Sequence, residues 1–264
     1  MKLAPNEIHA WLAFDRELAD AATLRAWSAL LEPEECSRAG RLRAEHLPEQ
    51  YVVTRALQRM ALSHYAPEVA PVEWRFEADE LGKPRLAGEF ARVGLHFNLA
   101  HTARLVVMAV ARRPLGVDTE QLVARSVAAG VVERYFTPEE RGALAALSDT
   151  QRQSRFFAIW SLKEAWIKAT GEGLSADLQA VSFDFDDATR ARAFAMQGDD
   201  PGRWGFWQAT PSEEHVLSLA MPDVAAGTTV SIFRRSAGVE FGGNPVGAPW
   251  RLAPRSGQEQ RAQP

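Results

Sequence analysis

Two short stretches carry acids and lysines at spacings that could do chemistry. Gly116-Val117-Asp118-Thr119-Glu120 sets two carboxylates two residues apart. On a strand, side chains repeat every two residues, so Asp118 and Glu120 point the same way. Trp160-Ser161-Leu162-Lys163-Glu164-Ala165-Trp166-Ile167-Lys168 sets Glu164 and Lys168 four apart, on one face of a helix. Lys163 adjoins that face. Three carboxylates (Asp118, Glu120 and Glu164) can hold a magnesium ion, which takes oxygen ligands and keeps room for substrate phosphate. Lys163 and Lys168 can hold the phosphate. The implied site takes a phosphorylated substrate on a metal. Each pattern also has a plainer reading. The strand acids could be a solvated face, and Glu164 with Lys168 a surface ion pair of about 0.2–0.5 kcal/mol. The bulky apolar neighbours Trp160 and Ile167 favour the edge of a cleft instead.

Other groups could hold anions. Arg55 and Arg59 are four apart on a predicted helix over 49–65, and Arg38, Arg41 and Arg43 precede it. A solvated basic face and phosphate recognition by the guanidinium fork are equally open there. His101 and Thr102 lie in a polar stretch, Ala100 to Arg104, that reads as a loop between two strands. Main-chain N–H groups, the Thr102 hydroxyl and a cationic His101 could cradle a phosphate there, although a lone histidine is more often structural.

The elements that must position these residues follow from periodicity and punctuation. Glu7 to Phe14 alternates as a first strand. Glu49 to Tyr65 has apolar residues at helical spacing. Leu95–Leu99, Leu105–Ala111 and Leu115–Glu120 read as strands, with Gly82-Lys83-Pro84 in a turn before them. Thr137-Pro138-Glu139-Glu140 opens a helix with a capping box. Ser148 caps a helix that runs to about Thr170, where Gly171 ends it. Four further strands follow, near 181–185, 204–209, 215–220 and 229–234. Helices and strands are not strictly alternating, so the fold class is α+β with largely antiparallel sheets. The expected organisation is an N-terminal α+β half over 1–113, a C-terminal α+β half over 114–235, and a mobile Gly/Pro/Gln/Arg-rich tail over 236–264.

Composition bounds the function. The chain has 264 residues, 46% of them apolar, with net charge −4 and a sequence pI near 5.9. That gives no electrostatic case for nucleic acid as a partner. A single cysteine, Cys36, excludes an internal disulfide and a cysteine-based zinc site. The N-terminus does not read as a signal peptide, and no stretch approaches the roughly 20 apolar residues of a membrane span. The expectation is a cytoplasmic protein with no membrane partner.

With these pieces in order, the chain resembles the 4′-phosphopantetheinyl transferases, in particular the larger, monomeric type that activates carrier domains of peptide and polyketide synthases. The resemblance runs from about Glu34 to Leu174. It rests on Gly116 to Glu120 and on Trp160 to Leu174. Gly82-Lys83-Pro84, Phe97 to Thr102 and Thr54-Arg55-Ala56-Leu57 support it. Where the family carries serine on both sides of the histidine, this chain has Ala100 and Thr102. The resemblance implies two similar α+β halves with pseudo-twofold symmetry and a coenzyme A cleft between them. It implies transfer of phosphopantetheine to the serine of an apo acyl or peptidyl carrier protein, with release of adenosine 3′,5′-bisphosphate. Asp118, Glu120 and Glu164 would hold magnesium, with manganese as the alternative. Glu164 would take the serine proton, and Lys163 and Lys168 would hold the pyrophosphate. His101, with Thr102 beside it, Arg55 and Arg38 would hold the 3′-phosphate, and Lys83 would line the adenosine end. The same residues leave two rivals open: a magnesium-dependent nucleotide pyrophosphohydrolase, and a non-catalytic coenzyme A-binding protein.

Overall fold

The computed structural model describes residues 2–14, 20–43, 46–122, 129–173, 176–185, 191–235 and 250–252. In chain order its elements are β1 (Glu7–Phe14), α1 (Ala21–Ser28), α2 (Pro33–Arg41), α3 (Leu47–Tyr65), β2 (Phe76–Ala78), β3 (Pro84–Leu86), β4 (His96–Thr102), β5 (Leu105–Ala111), β6 (Gly116–Gln121), α4 (Ala129–Tyr135), α5 (Pro138–Ala145), α6 (Asp149–Thr170), β7 (Val181–Phe185), β8 (Ala191–Met196), β9 (Gly205–Ser212), β10 (His215–Met221), β11 (Thr229–Arg235) and β12 (Trp250–Leu252). The fold is α+β. Two units form, one from residues 1–113 with 229–252, the other from 114–228.

In the first unit, five strands lie in the order β12-β11-β1-β5-β4. Strand β1 is buried from Ile8 to Phe14 because it has a strand on each side, antiparallel β5 and parallel β11. Helix α3 brings Val53, Leu57, Ala61 and Leu62 into the core with Trp11, Val106, Met108 and Phe233. Leu57 and Leu62 are each 0% exposed, and each contributes about 1.5–3 kcal/mol by leaving water. The pairing of β11 with β1 departs from the sequence expectation, which ran the second half through Arg235. A parallel partner cannot be joined by a tight turn, so nothing local in 229–235 announces it. Of the tail expected over 236–264, only Trp250–Leu252 lie within the described residues, where they pair with β11; the rest lies outside them.

In the second unit, β6-β10-β9 form an antiparallel sheet, and α6 packs on it. Ser148 precedes α6 in an extended conformation, and the Gln151 side chain accepts from its N–H at 3.4 Å. At the other end Gly171 takes φ 77° and its N–H reaches the Ile167 carbonyl, the left-handed cap that glycine adopts without a Cβ penalty. Phe156, Ile159, Leu162, Trp166 and Ile167 of α6 share a core with Phe136, Trp204 and Phe206. Among the described residues, no helix is long and apolar enough to cross a membrane.

Candidate active site

The site is built where α6 crosses β6. Gly116 makes that crossing possible. A Cβ there would lie 1.9 Å from the Ala165 carbonyl oxygen and 2.5 Å from the Ala169 nitrogen, so no other residue allows the strand to lie this close to the helix. A glycine inside a strand often marks such a close approach. A second tie holds α6 to the neighbouring strands β10 and β9 of the same sheet. Ser161 on α6 and Ser218 on β10 share a 2.7 Å hydrogen bond, and Gln208 Nε2 donates at 2.9 Å to both Ser218 Oγ and the Ala158 carbonyl. Ser218 is the register partner of Asp118, so this polar knot sits beside the first carboxylate.

Asp118, Glu120, Glu164 and Lys168 are brought together by this crossing. Lys168 Nζ lies 2.7 Å from Asp118 Oδ1. Asp118 Oδ2 is buried and has no hydrogen-bond partner. Burial pushes the Asp118 carboxyl above the usual range, and Lys168 pulls it back. Burial likewise pushes Glu120 up, to about 7; Asp118 and Glu164 add to the push, while Lys168 and a hydrogen bond with Trp160 oppose it. Glu164 is raised by burial and then by Asp118, against Lys168. The three carboxylates therefore feel one another, as groups on one small patch must. Among the described residues, no three His, Cys, Asp or Glu side chains are gathered closely enough to form a ready-made metal site, and Lys168 takes one oxygen of Asp118. The donor set still fits a hard cation. It is all carboxylate oxygen, one of those oxygens is orphaned in the interior, and mutual repulsion would be relieved by positive charge.

A groove of about 580 Å³ lies on the same unit, lined by residues that include Thr150, Ser154, Ala158, Gln208 and Val216. Val216 is the register partner of Glu120, but Arg155 is the one charged side chain among the described lining residues.

Lys163 is a correction. Its side chain is 0% exposed, and its Nζ is spent on Glu140 at 2.9 Å, the Leu178 carbonyl at 2.8 Å and the Val181 carbonyl at 2.6 Å. It does not share the face of Glu164 and Lys168. Neighbouring residues on a helix point about 100° apart, given 3.6 residues per turn, and the interior took this one. Glu140, which the sequence shows only as the third residue of a capping box, is the partner that went unread. A lysine next to a carboxylate carries no local mark of which way it turns. Gly116 reads in the sequence as part of a motif, and its place inside a strand is the available signal for close packing.

The remaining predicted residues lie on the first unit. Helix α3 carries Arg55, whose Nε is 3.5 Å from Glu35 Oε1 and whose Nη1 donates to Gln58 at 3.1 Å. Arg38 and Arg55 both lie over the Tyr51 ring, at 5.9 and 5.2 Å, so these two arginines share a neighbourhood. Thr102 is tied to α3 by its carbonyl, which accepts from Gln50 Nε2 at 2.8 Å. His101 is exposed, and here the structure corrects the loop reading. Strand β4 continues through His101 and Thr102, paired with Val106 and Leu105, and the chain turns at Ala103 and Arg104, the latter at φ 69°. The histidine stands at a hairpin end and not in an irregular loop. Lys83 is held in a turn by Asp79, which accepts from its N–H at 2.8 Å. Burial lowers the His96 imidazole and Lys83 lowers it further, which puts Lys83 near the start of β4. His96 and His101 are about 17 Å apart along an extended strand, so Lys83 belongs to the other end of β4 from His101.

A family model described as the 4′-phosphopantetheinyl transferase superfamily matches residues 114–220. The chain is 30% identical over 223 residues to 4′-phosphopantetheinyl transferase HetI of Nostoc sp., covering 84% of this chain and 90% of that protein. It is 30% identical over 238 residues to a phosphopantetheinyl transferase of Thraustochytrium sp., covering 83% and 81%. Among solved structures, a holo-(acyl-carrier-protein) synthase from Bacillus anthracis in complex with coenzyme A is similar at 17% identity and a TM-score of 0.36, over 42% of this chain and 96% of that one.

Proposed function

Since this chain belongs to the 4′-phosphopantetheinyl transferase superfamily, we propose that Asp118, Glu120 and Glu164 together hold its magnesium ion and that Lys168 holds the pyrophosphate of coenzyme A. The enzyme transfers the 4′-phosphopantetheine arm from coenzyme A to a serine of an apo carrier protein and releases adenosine 3′,5′-bisphosphate. The serine oxygen bonds to the β-phosphorus, and the bond from that phosphorus to the bridging oxygen breaks. Hydrolysis by water and binding without turnover, the two rival readings, are not favoured by this membership.

One observation carries the site assignment. Asp118 has one oxygen on Lys168 and the other buried without a partner, between two glutamates that its charge perturbs. Magnesium bound by these carboxylates would neutralise charge on the pyrophosphate. Lys168 is 29% exposed at its side chain, enough for its ammonium to leave Asp118 and take a phosphate oxygen. Glu164, raised by burial and by Asp118, is the base for the serine proton, since a base works best when its pKa is drawn towards the operating pH. On the first unit, Arg55, Arg38 and His101 are read as partners of the 3′-phosphate, with Thr102 beside them, and Lys83 as lining the adenosine end. All four residues of the reacting site lie on one chain, so we read the working form as a monomer.

The test is Glu164→Gln, assayed with coenzyme A, magnesium and an apo peptidyl carrier domain, with the mass of the intact carrier as readout. Coenzyme A should still bind and magnesium dependence should weaken. Transfer should fall by about 10²-fold or more. Near wild-type transfer at saturating magnesium would remove Glu164 as the base.

A further inference from the structure

The sequence places Lys163 beside the reacting residues, and the structure turns it away from them. We propose that Lys163 is a positioning residue: with Glu140 it fixes the rotation of α6, so that Glu164 and Lys168 face β6. This rests on the reading of Glu164 and Lys168 given above.

The argument starts from saturation. An ammonium has three N–H donors, and Lys163 finds three acceptors, two of them backbone carbonyls at Leu178 and Val181. Glu140 is equally fixed. Its oxygens accept from the Thr137 and Phe183 N–H groups, both at 2.9 Å, besides Lys163. The pair therefore joins α6 to the start of α5 and to the segment 178–183, with both side chains 0% exposed. Such a pair is a weak source of stability, because desolvating two charges offsets most of their attraction, and apolar residues of similar volume often serve as well. It supplies direction instead. An apolar side chain can slide against its neighbours, whereas an ammonium held by three fixed oxygens cannot.

That direction matters one residue later. A carboxylate about 6 Å from a helix axis moves roughly 2 Å for a 20° rotation of the helix, given helix dimensions. Gly116 leaves no space on the side facing β6, so the helix is held from two sides. Misplacement by about 1 Å is enough to cost a reaction about 10²-fold.

Two measurements test the inference on the full chain. In the first, the wild-type protein is acetylated briefly with and without coenzyme A, and modified lysines are read by mass spectrometry. Lys168 should be modified and then protected by coenzyme A, and Lys163 should stay unmodified in both. Labelling of Lys163 that coenzyme A suppresses would overturn the inference, since it would show direct contact. In the second, Lys163→Met and Lys163→Arg are assayed for coenzyme A affinity by calorimetry and for transfer to an apo peptidyl carrier domain. Coenzyme A affinity should stay within about threefold, kcat should fall at least tenfold, and the magnesium midpoint should rise. Adding Glu164→Gln should then cost far less than it does in the wild type, because coupled residues are not additive. Unchanged kcat and magnesium midpoint, or a tenfold loss of coenzyme A affinity, would overturn the inference. The site reading itself fails separately, if Glu164→Gln alone is active in the wild type.

Discussion

Replacing Gly116 with alanine tests the geometry of the site without touching any of its charges. The new methyl carbon would stand 1.9 Å from the Ala165 carbonyl oxygen, and ordinary contact begins near 3.4 Å. The strand and helix must therefore part by about 1.5 Å, because the Ala165 oxygen and the Ala169 nitrogen that it meets are backbone atoms and cannot rotate aside. Overpacking of this kind costs about 1–3 kcal/mol. For a chain of this size, each kcal/mol lowers Tm by about 2–4 °C. The larger effect is on chemistry. Asp118 and Glu120 ride on β6, and Glu164 and Lys168 ride on α6, so the same 1.5 Å is inserted into the site. A shift of about 1 Å can cost 10²-fold in rate, and a loss of that order is expected in transfer of phosphopantetheine to an apo carrier, read by intact mass. Gly142 on α5 is the control. A Cβ there meets nothing within 4 Å, so Gly142→Ala should raise stability by up to about 1 kcal/mol and leave transfer unchanged. If Gly116→Ala transferred within threefold of wild type at an unchanged magnesium midpoint, the close crossing would not be what sets the site.

Three further outcomes are expected. Glu120 is pushed up to about 7 from the ordinary 4.5, so the folded protein holds a proton that the unfolded chain has lost. Its contribution to the stability of the metal-free protein therefore falls as pH rises from about 4.5 to about 7, which the difference in thermal unfolding between wild type and Glu120→Gln would show. Magnesium needs the ionised form, so its affinity should rise between pH 6 and pH 8 with release of protons; pH-independent binding would contradict the assignment. Asp118→Asn should raise the magnesium midpoint at least tenfold and be partly rescued by high magnesium, and a rate defect that no magnesium relieves would argue for a different role. Arg55→Ala should raise KM for coenzyme A by about 10–100-fold, the scale of a charge-assisted hydrogen bond, while leaving dephospho-coenzyme A nearly untouched. Equal losses would show that Arg55 does not read the 3′-phosphate.

The sequence by itself determined what depends on spacing along one element. Asp118 and Glu120 share a face because strands repeat in two, and Glu164 with Lys168 because helices repeat in 3.6. Ser148 and Gly171 mark the ends of α6 because caps are chemistry of the chain immediately at hand. Tertiary structure decided which way each element turns and what it meets. Helix α6 is buried around most of its girth, with Leu162, Lys163, Ala165, Trp166 and Ile167 all inside, so its apolar pattern names no single face. Only Glu140 and the carbonyls of Leu178 and Val181 fix Lys163 inward. The parallel pairing of β11 with β1 joins residues more than two hundred positions apart, and no local propensity encodes a partner at that distance. His101 reads as a loop residue because its neighbours are polar, yet β4 carries it to the end of a hairpin, paired with Val106. Gly116 is a strand residue in the sequence and a point of contact in the fold, since its missing side chain has meaning only once α6 lies across it.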